Sequence, residues 1–204
     1  MTKKIGIALC GGGVRGISQI GILHALEQHG ISPQYVSGAS IGAIIGVFYA
    51  AGVSPLDMLE ISKKSTMIKI FNPSINFQGL SNLNYLKNLL EKNLPCSTFE
   101  KLKKKFYVAA TNLNLGKSDF FSEGDCIHPV MASAAVPIVF EPQKINGYSY
   151  VDAAIFNNVP VEPIRPQVDI LIGNYVHSHG PLENDTMFNS WRGVIDRAAS
   201  LSLL

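Results

Sequence analysis

The chain has 204 residues, 47% of them hydrophobic and 16% charged, with a net charge of +2. That length suits one core rather than two, so a single domain over residues 1–204 is expected, and the near-balanced charge argues against a dedicated nucleic-acid binder. No uninterrupted apolar stretch approaches the ~18 residues of a bilayer span; Ile41 to Val53 comes nearest and is broken by glycines.

Lys3 and Lys4 precede the apolar run Ile5 to Leu9, which meets Gly11-Gly12-Gly13 at once. The run is short and no small-residue cleavage site follows, so it reads as a buried strand rather than a signal peptide. Gly11 to Gly16 is a glycine-rich turn. Ile17, Ile20, Leu23 and Leu26 then repeat at helical spacing, with Gly30 as the stop. Tyr35 to Ser37 is a short second strand and Gly38 to Gly42 a turn. Ala43 to Ala51, apolar on all sides and ended by Gly52, predicts a helix inside the core.

Pro55 opens a helix to about Lys64. Ile68 to Leu80 is loop-like, and Leu83, Leu86, Leu89 and Leu90 mark a helix ending near Asn93. The run Lys101, Lys103, Lys104 and Lys105 reads as a solvated helix end before a strand, with a membrane-surface patch as the alternative. Phe106 to Thr111 is a strand that Asp119 to Ser122 can pair with. Ile127 to Ala135 is helical and stops before Pro137. Asn146-Gly147 signals a hairpin between Ile145 and Tyr148. Val168 to Tyr175 is a last strand. Interleaved strands and helices imply a three-layer α/β/α fold with a mainly parallel central sheet. Trp191 to Leu204 has helical spacing but neither cap nor breaker, which suggests truncation at the C-terminus, a natural end being the alternative.

Cys10, Cys96 and Cys126 are odd in number and spaced for no metal site. Reduced, mostly buried thiols are expected. With no signal peptide or membrane span in the sequence, a cytoplasmic location follows, with peripheral membrane contact left open.

Three segments carry chemistry. Gly38-Ala39-Ser40-Ile41-Gly42 is a G-x-S-x-G turn between a predicted strand and a predicted helix. Such a bend exposes the serine Oγ at the carboxyl end of a sheet. Gly38 and Gly42 would spare it clashes, and the helix aims its positive end at Ser40. An ordinary tight turn is the alternative. Next, Gly11-Gly12-Gly13-Val14-Arg15-Gly16 follows a strand and opens a helix. Its amides suit an oxyanion, and Arg15 can add charge or brace the loop. The same glycines fit the dinucleotide pattern G-x-G-x-x-G, but the acidic residue that pattern needs after the second strand is missing; Glu27 lies inside the predicted helix. Last, Asp152 ends a strand in an apolar run, where a carboxylate needs a partner. It reads as a base for Ser40 or as a structural cap. His177 and His179 are alternative bases, while His24, His29 and His128 look like surface or capping residues.

In this order and company, the glycine loop, the serine turn and the later aspartate resemble the patatin-like phospholipases. Gly21 to Leu26, Ser133 to Phe140 and Asn157 to Val161 resemble further segments of that family, and the similarity runs from Lys4 to about Tyr175. The resemblance implies a lipid acyl hydrolase with a Ser40–Asp152 dyad and no catalytic histidine. It implies an oxyanion hole at Gly11, Gly12, Gly13 and Arg15, a lipid or fatty acyl ester as substrate, and neither metal nor organic cofactor. The family pattern has Asp-Gly-Gly or Asp-Gly-Ala where this chain has Asp152-Ala153-Ala154. If glycine there serves a positive φ, alanine costs about 1 kcal/mol or more and can misaim Asp152. A catalytically weak lipid-binding or regulatory module on the same fold is therefore the alternative. Ile68, Ile70, Phe71, Ile75, Phe77 and Leu80 are read as core residues, or as a lid or acyl groove over Ser40.

Overall fold

Phe106 and Val108 point into the same apolar cluster as Ile7, Leu9 and Val36, and that alternation sets one face of a central sheet. The structure is a computed structural model that describes residues 3–64, 83–137, 139–176, 189–190 and 193–194. The sheet is built from β1 (Ile5–Leu9), β2 (Tyr35–Gly38), β3 (Lys105–Asn112), β4 (Lys117–Phe121), β5 (Gln143–Ile145), β6 (Tyr148–Val151) and β7 (Ile170–Asn174). Strands β7, β1, β2 and β3 lie side by side and parallel. Strands β4 and β6 pair antiparallel with β3, and β5 pairs antiparallel with β6. The sheet is thus mainly parallel at its centre, as the interleaved elements imply.

The helices among the described residues are α1 (Ser18–Gln28), α2 (Ile41–Ala51), α3 (Pro55–Lys64), α4 (Asn84–Asn93) and α5 (Ile127–Ser133). All five contribute to the cluster that covers the face of Ile7, Leu9 and Val36. Every residue of α2 is buried, which explains why its sequence lacks a polar face. The other sheet face meets the chain around residues 153–168, with its short 3-10 turns. There a Cβ on Gly6 would touch Ile164 and Val168, and Ser37 Oγ donates to the Pro160 carbonyl at 2.5 Å.

Two elements differ at one end from their sequence expectation. A 3-10 turn over Gly13–Ile17 precedes α1, because the glycine loop winds tightly before the regular ladder can start. Helix α5 ends at Ser133, two residues before the expected Ala135. The hairpin at Asn146-Gly147 forms as expected, with both residues at positive φ, 50° and 83°. The predicted groove from Met67 to Leu83, apart from Leu83, and the helix over Trp191 to Leu204, apart from Gly193 and Val194, lie outside the described residues.

One topological detail positions the site. Val108 of β3 pairs with Gly38 on one side and Phe121 on the other. Thr111 pairs with Ser118 and with Val151. Since β4 occupies one edge throughout, β6 must take the same edge as β2. Strand β2 leaves that edge after Gly38, and β6 arrives on it further along. The residues that follow their ends, Ser40 and Asp152, therefore share one spot at the carboxyl end of the parallel strands.

Candidate active site

Ser40 sits at φ 53° and ψ −123°, a conformation that costs a non-glycine residue on the order of 1–3 kcal/mol. Two close approaches impose the bend. A Cβ on Gly38 would lie 2.5 Å from the Gly42 carbonyl oxygen. One on Gly42 would collide with the Leu9 carbonyl and come within 2.6 Å of that of Cys10. Backbone thus packs on backbone where a side chain would intrude. The turn delivers Ser40 to the N-terminus of α2, where its carbonyl accepts the Ala43 and Ile44 amides at 2.9 and 3.2 Å. The positive end of the helix dipole faces the serine.

Asp152 comes from the end of β6. Its main chain is held twice: its N–H donates to the Ala135 carbonyl at 2.9 Å, and its carbonyl accepts the Thr111 hydroxyl at 2.9 Å. The two carboxylate oxygens have separate partners. Oδ1 accepts the Ala154 N–H at 2.9 Å, and Oδ2 accepts the Ser40 hydroxyl at 2.6 Å. Asp152 thus caps the turn at Ala154, as one of its two sequence readings expects, and is hydrogen-bonded to Ser40. Both residues are only 4% exposed. Burial pushes the Asp152 carboxyl up to about 6, against the smaller downward pull of the Ser40 hydroxyl and the Ala154 amide.

Ala153 and Ala154 open a 3-10 turn, and Ser40 and Asn146 alone among the described non-glycine residues have positive φ. The strain expected of alanine in place of glycine is therefore absent. The turn asks for ordinary negative φ, and it aims the Ala154 amide at Asp152. The ground for expecting a misaimed carboxylate goes with it.

In the glycine loop the three glycines differ. Gly11 donates its N–H to Asn158, to Oδ1 at 2.9 Å and to the carbonyl at 3.3 Å. That amide is already engaged, unlike the expectation that Gly11 serves an oxyanion. A Cβ on Gly11 would stand 3.2 Å from both Ser40 Cβ and Ala154 Cβ, so the loop packs against Ser40 and the turn after Asp152 together. Gly12 and Gly13, with φ 155° and 54°, donate no backbone hydrogen bond within the described residues. Arg15 is exposed and forms no ion pair among the described residues.

The histidines stand apart from this pair where they are described. His29 bonds the Ala25 carbonyl through Nδ1 at 2.8 Å, a helix-end contact, and the His128 amide caps onto Asp125. His177 and His179 lie outside the described residues. Cys10 and Cys126 are buried, Cys96 is half-buried and all three are free. Burial, with the nearby Asp125 carboxylate second, pushes the Cys126 thiol up to about 12, far from the range of a reactive thiolate. Sequence reasoning missed Thr111, Ser133 and Asn158 as supports. Each is a small polar residue whose contact lies 41, 93 or 147 positions away.

The chain is a mixed α/β protein in which a strand-to-helix bend raises a serine hydroxyl at the carboxyl end of the parallel strands. Residues 7–165 match the profile of the patatin-like phospholipases, and the chain belongs to that family. It is 30% identical over 167 residues to an uncharacterized NTE family protein of Mycobacterium tuberculosis, covering 80% of this chain and 46% of that protein. It is also 30% identical over 194 residues to lysophospholipase NTE1 of Phaeosphaeria nodorum, covering 90% of this chain and 12% of that protein. The chain thus spans about half the length of the mycobacterial relative (46%). In fold it is similar to VipD from Legionella pneumophila, with a TM-score of 0.58 at 18% identity, over 78% of this chain and 47% of that one.

Proposed function

We propose that the protein is a serine lipid acyl hydrolase that cleaves fatty acyl esters through Ser40 and Asp152. The observation that carries this reading is the 2.6 Å hydrogen bond from Ser40 Oγ to Asp152 Oδ2, made by a serine in a strained elbow. Membership of the patatin-like phospholipase family and similarity to a lysophospholipase supply the substrate class.

Ser40 Oγ attacks the ester carbonyl carbon while its proton passes to Asp152. Negative charge gathers on the carbonyl oxygen, where the amides of Gly12 and Gly13 and the N-terminus of α2 stabilise it. The carbon–oxygen bond to the leaving alcohol breaks, and Asp152 returns the proton to that alcohol. A water then gives a proton to Asp152 and attacks the acyl-Ser40 carbonyl. The fatty acid leaves and Ser40 recovers its proton from Asp152. The raised pKa of Asp152 suits this cycle, since an ordinary carboxylate is too weak a base for a serine hydroxyl. Arg15, exposed beside the loop, is in a position to steer an anionic head group.

The test is a panel of p-nitrophenyl esters of graded chain length, lysophospholipids and diacyl phospholipids, run on wild type and Ser40→Ala. Ester cleavage that vanishes in Ser40→Ala supports the reading. Cleavage that persists in Ser40→Ala, or inactivity on every ester, refutes it.

A further inference from the structure

We propose that Ser133 is a positioning residue for the nucleophile: by accepting the Ser40 N–H, its hydroxyl holds the elbow in the shape from which Ser40 Oγ reaches Asp152. This rests on the hydrolase reading above and adds a residue to it.

The geometry is direct. Ser40 N–H donates to Ser133 Oγ at 2.8 Å. Ser133 is fully buried at the last residue of α5. A nucleophile at φ 53° lies outside the ordinary backbone wells, so its conformation persists only where the surroundings impose it. Gly38 and Gly42 leave room for the bend, yet room alone does not select it. A hydrogen bond to the amide of the strained residue does. Without that acceptor the N–H would be buried and unpaired, and the elbow would gain by turning it toward another partner.

The same helix end also grips the base. Two residues beyond Ser133, the Ala135 carbonyl accepts the Asp152 N–H at 2.9 Å. One short stretch, residues 133–135, therefore fixes the main chains of both reacting residues, which come from strands 112 positions apart. On the Ala135 side a backbone carbonyl makes the grip, so no substitution removes it. On the Ser40 side a side chain makes it, so mutation can release the nucleophile while the base stays in place.

That asymmetry gives a readout that loss of packing would not produce. The Ser40 hydroxyl pulls the Asp152 carboxyl downward against the larger effect of burial. The elements packed on Asp152 present Thr111, Ser40, residues 133–135, Ala153 and Ala154, none of them charged. If Ser40 drifts, its downward pull fades and the acid limb of the pH–rate profile moves to higher pH.

The experiment uses the full chain with a p-nitrophenyl ester and compares wild type, Ser133→Ala, Ser133→Cys and Val130→Ala. Cysteine keeps the site filled but accepts a hydrogen bond poorly. Val130 is fully buried on the same helix and touches neither the Ser40 amide nor Asp152 through a hydrogen bond. Both Ser133 variants should lose tenfold to a hundredfold in kcat with KM within twofold, as a shift of about 1 Å at a reacting atom would produce, and their acid limb should move up. Val130→Ala should melt at a lower temperature but keep the wild-type kcat and limb. Ser133 variants with wild-type kcat and limb would overturn the proposal alone, as would Val130→Ala reproducing their loss. Wild-type turnover that survives Ser40→Ala would overturn the hydrolase reading, and this proposal with it.

Discussion

Gly38 and Val151 end their strands on the same edge of β3, opposite Val108 and Thr111. A parallel strand reaches that edge from one direction and an antiparallel hairpin from the other. Ser40 and Asp152 therefore meet beyond two strand ends. Neither depends on a long loop for its position, so substitutions there should report on chemistry rather than on disorder.

The first prediction concerns pH. Asp152 accepts a proton only when ionised, and its carboxyl is pushed up to about 6 by burial. With a neutral ester, kcat/KM should rise as pH increases through about 6 and level off above it. A profile that is flat from pH 5 to 8, or one that falls across this window, would contradict the assignment of Asp152 as base.

Stability should run the opposite way. The native carboxyl holds its proton to higher pH than the unfolded chain does, for which 3.8 is the ordinary value. Stability from this group is therefore fully present below about 3.8, is lost as pH rises toward about 6, and stays level above that. The shift corresponds to about 3 kcal/mol. Asp152→Asn should be inactive yet, near pH 8, more stable than wild type by a few kcal/mol on that scale. Urea unfolding of both proteins at pH 4 and pH 8 checks this; an equal gap at both pH values would contradict it.

Gly42→Ala tests the elbow itself. Its new methyl would meet the carbonyls of Leu9 and Cys10, which are backbone atoms that cannot swing aside. It should cost about 3 kcal/mol or more, by the measure of overpacked cores. Gly21→Ala, where a Cβ meets nothing within 4 Å, should gain up to about 1 kcal/mol in a helix interior. Thermal melts of the pair decide whether this glycine is required by packing.

Asn158→Ala removes the side-chain acceptor that engages the Gly11 amide at 2.9 Å. The 3.3 Å bond to the Asn158 carbonyl remains as a weaker anchor. Loosening the loop beside Gly12 and Gly13 should lower kcat about tenfold, less than the ~10²–10³-fold lost when an oxyanion donor is removed outright. KM should change little. A variant with raised KM and unchanged kcat would mean that Asn158 serves substrate binding instead.

Much of this was legible in the sequence because the relevant constraints are local. The G-x-S-x-G bend, the Asn146-Gly147 hairpin and the all-apolar α2 each follow from the chemistry of neighbouring residues. Asp152 as a partner of Ser40 was one of two readings of the residues, and the resemblance chose between them, since no local pattern links segments 112 residues apart. Ala153 and Ala154 misled because a glycine in a family pattern suggests a positive φ, whereas this turn is a 3-10 helix that alanine fits. Ser133, Thr111 and Asn158 were invisible as supports. A serine, a threonine and an asparagine are common everywhere, and only the folded register shows which amide or carbonyl each one meets.

The central claim is that the Ser40 hydroxyl is the nucleophile. Incubation with a fluorophosphonate, followed by peptide mass spectrometry, tests it most directly. One adduct per chain on Ser40, absent in Ser40→Ala and formed far more slowly in Asp152→Asn, is the predicted result. An unmodified Ser40 in a protein that still hydrolyses the ester, or an adduct on another residue that tracks activity, would contradict it.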